Sequence, residues 1–135
     1  MKAKLLIKTV HKDIDTGQEE KIVVKKEADV VKTSSFYTIR YKDDENISKI
    51  IKISKDEIET FSFGNKKNRM LFKNNLKFEC NYKTDYGFFK LDIKTKSLEV
   101  KINNDLDFCA KIMYNLSDNV NFNQLITLSI IVGQS

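Results

Sequence analysis

The chain has no proline and no tryptophan, and its 135 residues include only two cysteines, one histidine, two arginines and four glycines. Each shortage removes a class of chemistry. His11 stands far from Cys80 and Cys109, and these three do not make a zinc set. No supporting motif links His11 to a serine or cysteine nucleophile, so it reads as a surface residue. No glycine-rich phosphate loop occurs. The run Asp43-Asp44-Glu45 lacks the alternating oxygens and the glycine of a calcium loop and reads as a solvated turn. Long apolar runs are missing too: Lys8 interrupts Leu5-Leu6-Ile7 before signal-peptide length, and nothing approaches a membrane span. Without an export signal, the two cysteines read as reduced thiols and the expected place is the cytoplasm. No cofactor, metal or membrane association is expected, and no catalytic motif is present.

What remains is 41% hydrophobic and 32% charged, with 24 Lys+Arg against 19 Asp+Glu. That suits a single domain over residues 1–135, able to bury a core and mildly basic. Apolar residues recur along the whole length, which excludes disorder.

The dominant pattern has period two. Leu76, Phe78, Cys80 and Tyr82 alternate with Lys77, Glu79 and Asn81, and Leu98, Val100 and Ile102 alternate with Glu99 and Lys101. Each run is a strand with one wet face. Similar runs at Lys4–Val10, Lys21–Lys32, Phe36–Lys42, Ser48–Lys55, Glu57–Phe63, Arg69–Lys73, Phe88–Lys94, Phe108–Leu116 and Leu125–Val132 bring the expectation to about eleven strands. The breaks are short and rich in Asp, Asn and Gly, so consecutive strands must pair antiparallel. Closure removes exposed edges, which favours an up-and-down barrel with Ile39, Phe78, Leu91, Val100, Ile112 and Leu128 facing inward. Gly64 reads as a turn residue with positive φ. The segment Tyr82–Gly87 reads as a hairpin at one barrel rim.

Several residues in order carry a family likeness: Tyr37 to Tyr41 before an acidic turn, Ile50 to Ile53, Gly64, Met70 with Phe72, Tyr82-Lys83-Thr84-Asp85-Tyr86-Gly87, Thr95 with Leu98, and Tyr114 with Leu116. From Tyr37 onward the chain resembles the YwiB-like family of uncharacterised bacterial proteins. The resemblance implies an all-β, calycin-like barrel of lipocalin or fatty-acid-binding architecture and brings no activity with it. Where that family often has an arginine two positions before the glycine, this chain has Ser62. The fatty-acid carriers among calycins hold a carboxylate with Arg-x-Tyr. The matching place here, Ile112-Met113-Tyr114, keeps the tyrosine and lacks the arginine.

Two signals point outward from fold to function. Tyr37, Tyr41, Tyr82 and Tyr114 lie on apolar faces, and tyrosines converging inside a barrel would supply polar anchors for a small, partly apolar ligand in the interior or mouth. A barrel of this size can also be filled by its own side chains, with each hydroxyl satisfied at a rim. Between residues 65 and 90, seven basic residues stand against two acids, a surplus equal to the whole net charge. Lys66, Lys67, Arg69, Lys73, Lys77 and Lys83 therefore form a candidate patch for RNA or an acidic protein surface, and a solvated face is the simpler reading. Glu57 and Glu59 share a strand face with Phe61 and Phe63, which admits a carboxylate at a barrel mouth, with a strand end frayed into solvent as the usual explanation. The leading expectation is a non-enzymatic binding module; the competing one is an interaction protein that works through its basic strands.

Overall fold

The structure is a computed structural model that describes the chain apart from residues 65–66, 85–86, 119–122 and 135 and the side chains of 82–84, 88 and 89. Its strands are β1 (Lys2–Asp13), β2 (Glu19–Lys32), β3 (Tyr37–Lys42), β4 (Ser48–Ile53), β5 (Glu57–Ser62), β6 (Asn68–Lys73), β7 (Lys77–Thr84), β8 (Gly87–Asn104), β9 (Asp107–Ser117) and β10 (Asn123–Gln134). They form one antiparallel sheet in the order β6-β5-β4-β3-β2-β1-β10-β9-β8-β7. The expected all-β, up-and-down barrel is present.

All but one of the ladders join chain neighbours, as short turns require. The exception pairs β1 with β10, from Ala3↔Gln134 to Asp13↔Gln124. The first and last strands thus lie mid-sheet, and its two ends are β6 and β7, consecutive in the chain. A tight turn joins these, with Leu76 N–H donating to the Lys73 carbonyl at 2.9 Å and Asn75 at φ 63°. Among the described residues no ladder links them; the Cys80 thiol donates to the Arg69 carbonyl across the seam at 3.3 Å. The barrel is therefore nearly closed. Its basic strands, expected to be neighbours, are divided by the seam, because β6 pairs with β5 and β7 with β8.

Ten strands replace the expected eleven because Phe88–Lys94 and Leu98–Ile102 belong to one strand, β8. Thr95 faces Tyr114 and Ser97 faces Met113, so Lys96 is an extra residue without an opposite number. Such a bulge switches the face on which alternate side chains fall. Ile93 and Thr95 point inward before it, Leu98 and Val100 after it. The phase jump that resembled a strand break is absorbed by one residue.

The core lies inside the barrel, where Ile39, Ile53, Ile58, Ile93, Ile112 and Ile126 are all but inaccessible. Of the other residues expected to face inward, Phe78, Val100 and Leu128 are partly buried against it, and Leu91 sits opposite the buried Cys80. Tyr37 stacks on Phe108 with ring centres 4.5 Å apart, and Phe72 packs on Tyr114 at 4.7 Å. The hairpin expected at Tyr82–Gly87 agrees with the ladder, in which β7 and β8 pair antiparallel up to Thr84↔Gly87; residues 85–86 between them lie outside the described residues. Gly64 and Gly87 both take positive φ, at 102° and 119°.

The wall is not uniform. β1 and β2 pair from Lys2↔Asp29 to Lys12↔Glu19, whereas β2 meets β3 only from Asp29↔Arg40 to Lys32↔Tyr37. Past Arg40 the two strands diverge and leave a wedge between Glu27 and Ala28 on one side and Tyr41 and Lys42 on the other. The Lys26 ammonium reaches Asp44 in the β3–β4 turn across this gap.

Candidate functional site

Opposed residues of an antiparallel ladder share a face, so the registers of β3 to β6 stack the inward side chains into rows. The innermost row is Tyr37, Ile53, Ile58 and Phe72, all buried. Next come Ile39, Ile51, Thr60 and Met70. The row at the rim is Tyr41, Lys49, Ser62 and Asn68, polar at all four positions. The inner wall thus grades from apolar to polar within three rows.

Apart from Ile39, the two outer rows face Ile7, Leu128 and Ile130 from β1 and β10 across a cavity of about 210 Å³. A second cavity, of about 590 Å³, occupies the wedge between β2 and β3 and is lined by Lys2, Arg40 and Lys42 among others. Both share Tyr41, Lys49 and Ile50, so the mouth and the wedge meet at those residues.

Lys49 is the unusual member. It lies on the same face as the buried Ile51 and Ile53, and its ammonium donates to Ser62 Oγ at 2.9 Å. Asp43 Oδ2 is 3.9 Å away, while Asp43 Oδ1 accepts the backbone N–H groups of Glu45 and Ile47, each at 2.9 Å. The acidic turn is thus a capped turn that also places a carboxylate beside the mouth. Burial, and then the charge of Asp43, pushes the Tyr41 phenol above its ordinary value, so it remains a neutral O–H. That hydroxyl has no hydrogen-bond partner among the described residues.

Of the four tyrosines singled out by sequence, the three whose side chains are described do not line one cavity. Tyr41 lines the mouth. Tyr37 lies deeper and its hydroxyl donates to Asp105 Oδ1 at 2.8 Å, with Lys32 3.4 Å from the same oxygen, which ties the β8–β9 turn to β3. Burial first, then that bond, pushes the Tyr37 phenol up. Tyr114 is buried against Phe72, and desolvation alone pushes its phenol far up. The Tyr82 side chain lies outside the described residues. Lys49, Ser62 and Asn68 were missed by sequence reasoning. The available signal was the Lys49-x-Ile51-x-Ile53 alternation, obscured by Ile50 on the other face.

The basic patch dissolves in part into ion pairs. Arg69 binds Glu59 from β5 and lies over the Phe78 ring, Lys77 meets Asp92 at 3.9 Å, and Lys90 meets Glu79 at 3.5 Å. Two of these partners, Glu59 and Asp92, come from outside the 65–90 window. Lys67 and Lys73 are exposed; Lys66 and the Lys83 side chain lie outside the described residues. Glu57 and Glu59 are on the outer surface and not at a mouth, because Ile58 between them fills the core.

The sequence matches the family described as "Domain of unknown function (DUF1934)" over residues 6–130. The chain belongs to the DUF1934 family. This DUF1934 domain is also similar to the ywiB protein from Bacillus subtilis, whose crystal structure it matches with a TM-score of 0.80 at 20% identity, over 98% of this chain and 92% of that one. At that identity the likeness speaks for the fold, and it bears out the expected YwiB-like resemblance. No curated protein matches the chain. No helix among the described residues is long and apolar enough to cross a membrane.

Proposed function

We propose that this DUF1934 domain is a non-enzymatic binding module whose barrel mouth takes a small, partly apolar ligand. The observation that carries the reading is the graded inner wall: a polar rim of Tyr41, Lys49, Ser62 and Asn68 above Ile51 and Met70, facing Ile7, Leu128 and Ile130 across a cavity. Ligand sites are concave, mostly apolar and provided with a few placed polar groups, and this mouth has that composition. The wedge between β2 and β3 supplies a side entrance, because it reaches Tyr41 and Lys49 from solvent. Fold likeness to other barrels adds only analogy. A role for the basic strands in binding RNA or an acidic surface gains less support, since Arg69, Lys77 and Lys90 already have acidic partners.

Native mass spectrometry of the protein purified from its own source tests the reading. A small organic molecule retained under gentle conditions and released on unfolding is the expected result. A ligand-free protein whose Met70 methyl resonance does not move with eight-carbon amphiphiles would overturn it.

A further inference from the structure

We infer that the molecule taken by the mouth is a small amphiphilic oxyanion, with its charged head on Lys49 and its apolar body against Met70 and Leu128. This rests on the binding reading above and adds the charge and polarity of the ligand.

Placing a lysine there costs desolvation. An ammonium on a core-facing strand position is held away from part of its water, which is tolerated only if its N–H groups find partners. Lys49 has three such groups. One is directed to Ser62 Oγ at 2.9 Å and one lies toward Asp43 Oδ2 at 3.9 Å, beyond a normal hydrogen bond. That leaves donor capacity at the rim, beside the Tyr41 hydroxyl and Asn68, neither of which has a hydrogen-bond partner among the described residues. Asp43 tempers the positive charge without cancelling it, because the adjoining wedge is lined by Lys2, Arg40, Lys42 and Lys49 against Glu27 and Asp29. An arriving anion therefore meets a cationic entrance and then a cationic rim.

Below the rim the chemistry changes. Met70 and Leu128 are partly buried, Ile7 and Ile130 are buried, and Thr60 is the single polar side chain in its row of β3–β6. A cavity of about 210 Å³ suits an apolar body of about ten non-hydrogen atoms, well under drug size. A cation of the same shape is disfavoured by Lys49, and a neutral alcohol offers the ammonium only an uncharged acceptor, hence a weaker hydrogen bond than an oxyanion does. Carboxylate and phosphate monoester heads share the oxyanion chemistry, and the test separates them.

The experiment is isothermal titration of the full chain with octanoate, octyl phosphate, octan-1-ol and octylamine, repeated with Lys49→Met and Lys49→Arg. Octanoate or octyl phosphate is expected to bind at least about tenfold more tightly than octan-1-ol, as a charge-assisted hydrogen bond implies, and octylamine weakest. Whichever anion binds more tightly identifies the head. Lys49→Met is expected to erase the preference for the anions over octan-1-ol, while Lys49→Arg retains it. If octanoate, octyl phosphate and octan-1-ol bind the native chain equally, the mouth binds ligands but the charge assignment is overturned. That assignment also falls if Lys49→Met folds and keeps the preference. If none of the four binds, both this inference and the binding reading fail. The comparison among probes on the native chain stands even if a variant does not fold.

Discussion

Replacing Thr95 with valine is expected to stabilise the protein. Thr95 is 1% exposed and follows Ile93 on the inward face of β8, just before the bulge. Its backbone is fully used: the N–H donates to the Leu76 carbonyl at 3.1 Å and the carbonyl accepts from Asn75 N–H at 3.2 Å. Its hydroxyl is buried with no hydrogen-bond partner among the described residues. An unpaired buried hydroxyl costs about 1–3 kcal/mol, and a methyl in its place adds about 0.8 kcal/mol of apolar burial. Valine preserves the β-branched shape that the strand accepts, so little strain offsets the gain. A net stabilisation of about 1–2 kcal/mol follows, equivalent to a rise in melting temperature of about 3–6 °C for a domain this size. Thr95→Ser keeps the hydroxyl and removes the methyl, and should destabilise. Calorimetry of both variants against the native chain is the assay. A Thr95→Val protein that melts lower than the native one would refute the reasoning and show that the hydroxyl is used.

Gly87→Val is expected to destabilise by about 1–3 kcal/mol in a denaturant titration, through backbone strain alone: φ is 119° and an added Cβ would meet nothing within 4 Å. A neutral result would remove the strain argument at that turn. Tyr37→Phe should lower the melting temperature at neutral pH by freeing the β8–β9 turn. The Tyr37 hydroxyl, and beyond it Lys32, holds the Asp105 carboxyl below its ordinary value. The stabilisation is therefore complete above the usual carboxylate range near pH 4 and fades as pH falls below it. Native and Tyr37→Phe melting curves should converge in acid, and a gap that widens there would count against the tie. Burial pushes the Cys80 thiol up, so a thiol-specific reagent should modify the partly buried Cys109 in the native state and Cys80 only on unfolding. Equal rates at both would contradict the placement of Cys80 at the seam.

Alternation is a property of neighbouring residues, and for that reason the strands, their inward faces and the hairpin at Gly87 are legible in the amino-acid order alone. Even the two halves of β8 are visible there, although the bulge at Lys96 makes one strand look like two. A pattern of period two says which side chains point the same way along a strand. It does not say which strand lies beside which, or in what register. The pairing of β1 with β10, and with it the seam between β6 and β7, joins residues from opposite ends of the chain and leaves no local trace. The same holds for the site. Tyr41, Lys49, Ser62 and Asn68 are separated in sequence and become one polar row only through three successive registers. The acids that pair with Arg69 and Lys77 likewise arrive from strands outside the basic stretch, so a surplus counted along the chain overstates the charge on the folded surface. Local chemistry determined that this chain forms strands with one wet face. Tertiary registration, driven by burying the dry faces together, decided where the barrel stays open and which side chains stand at its mouth.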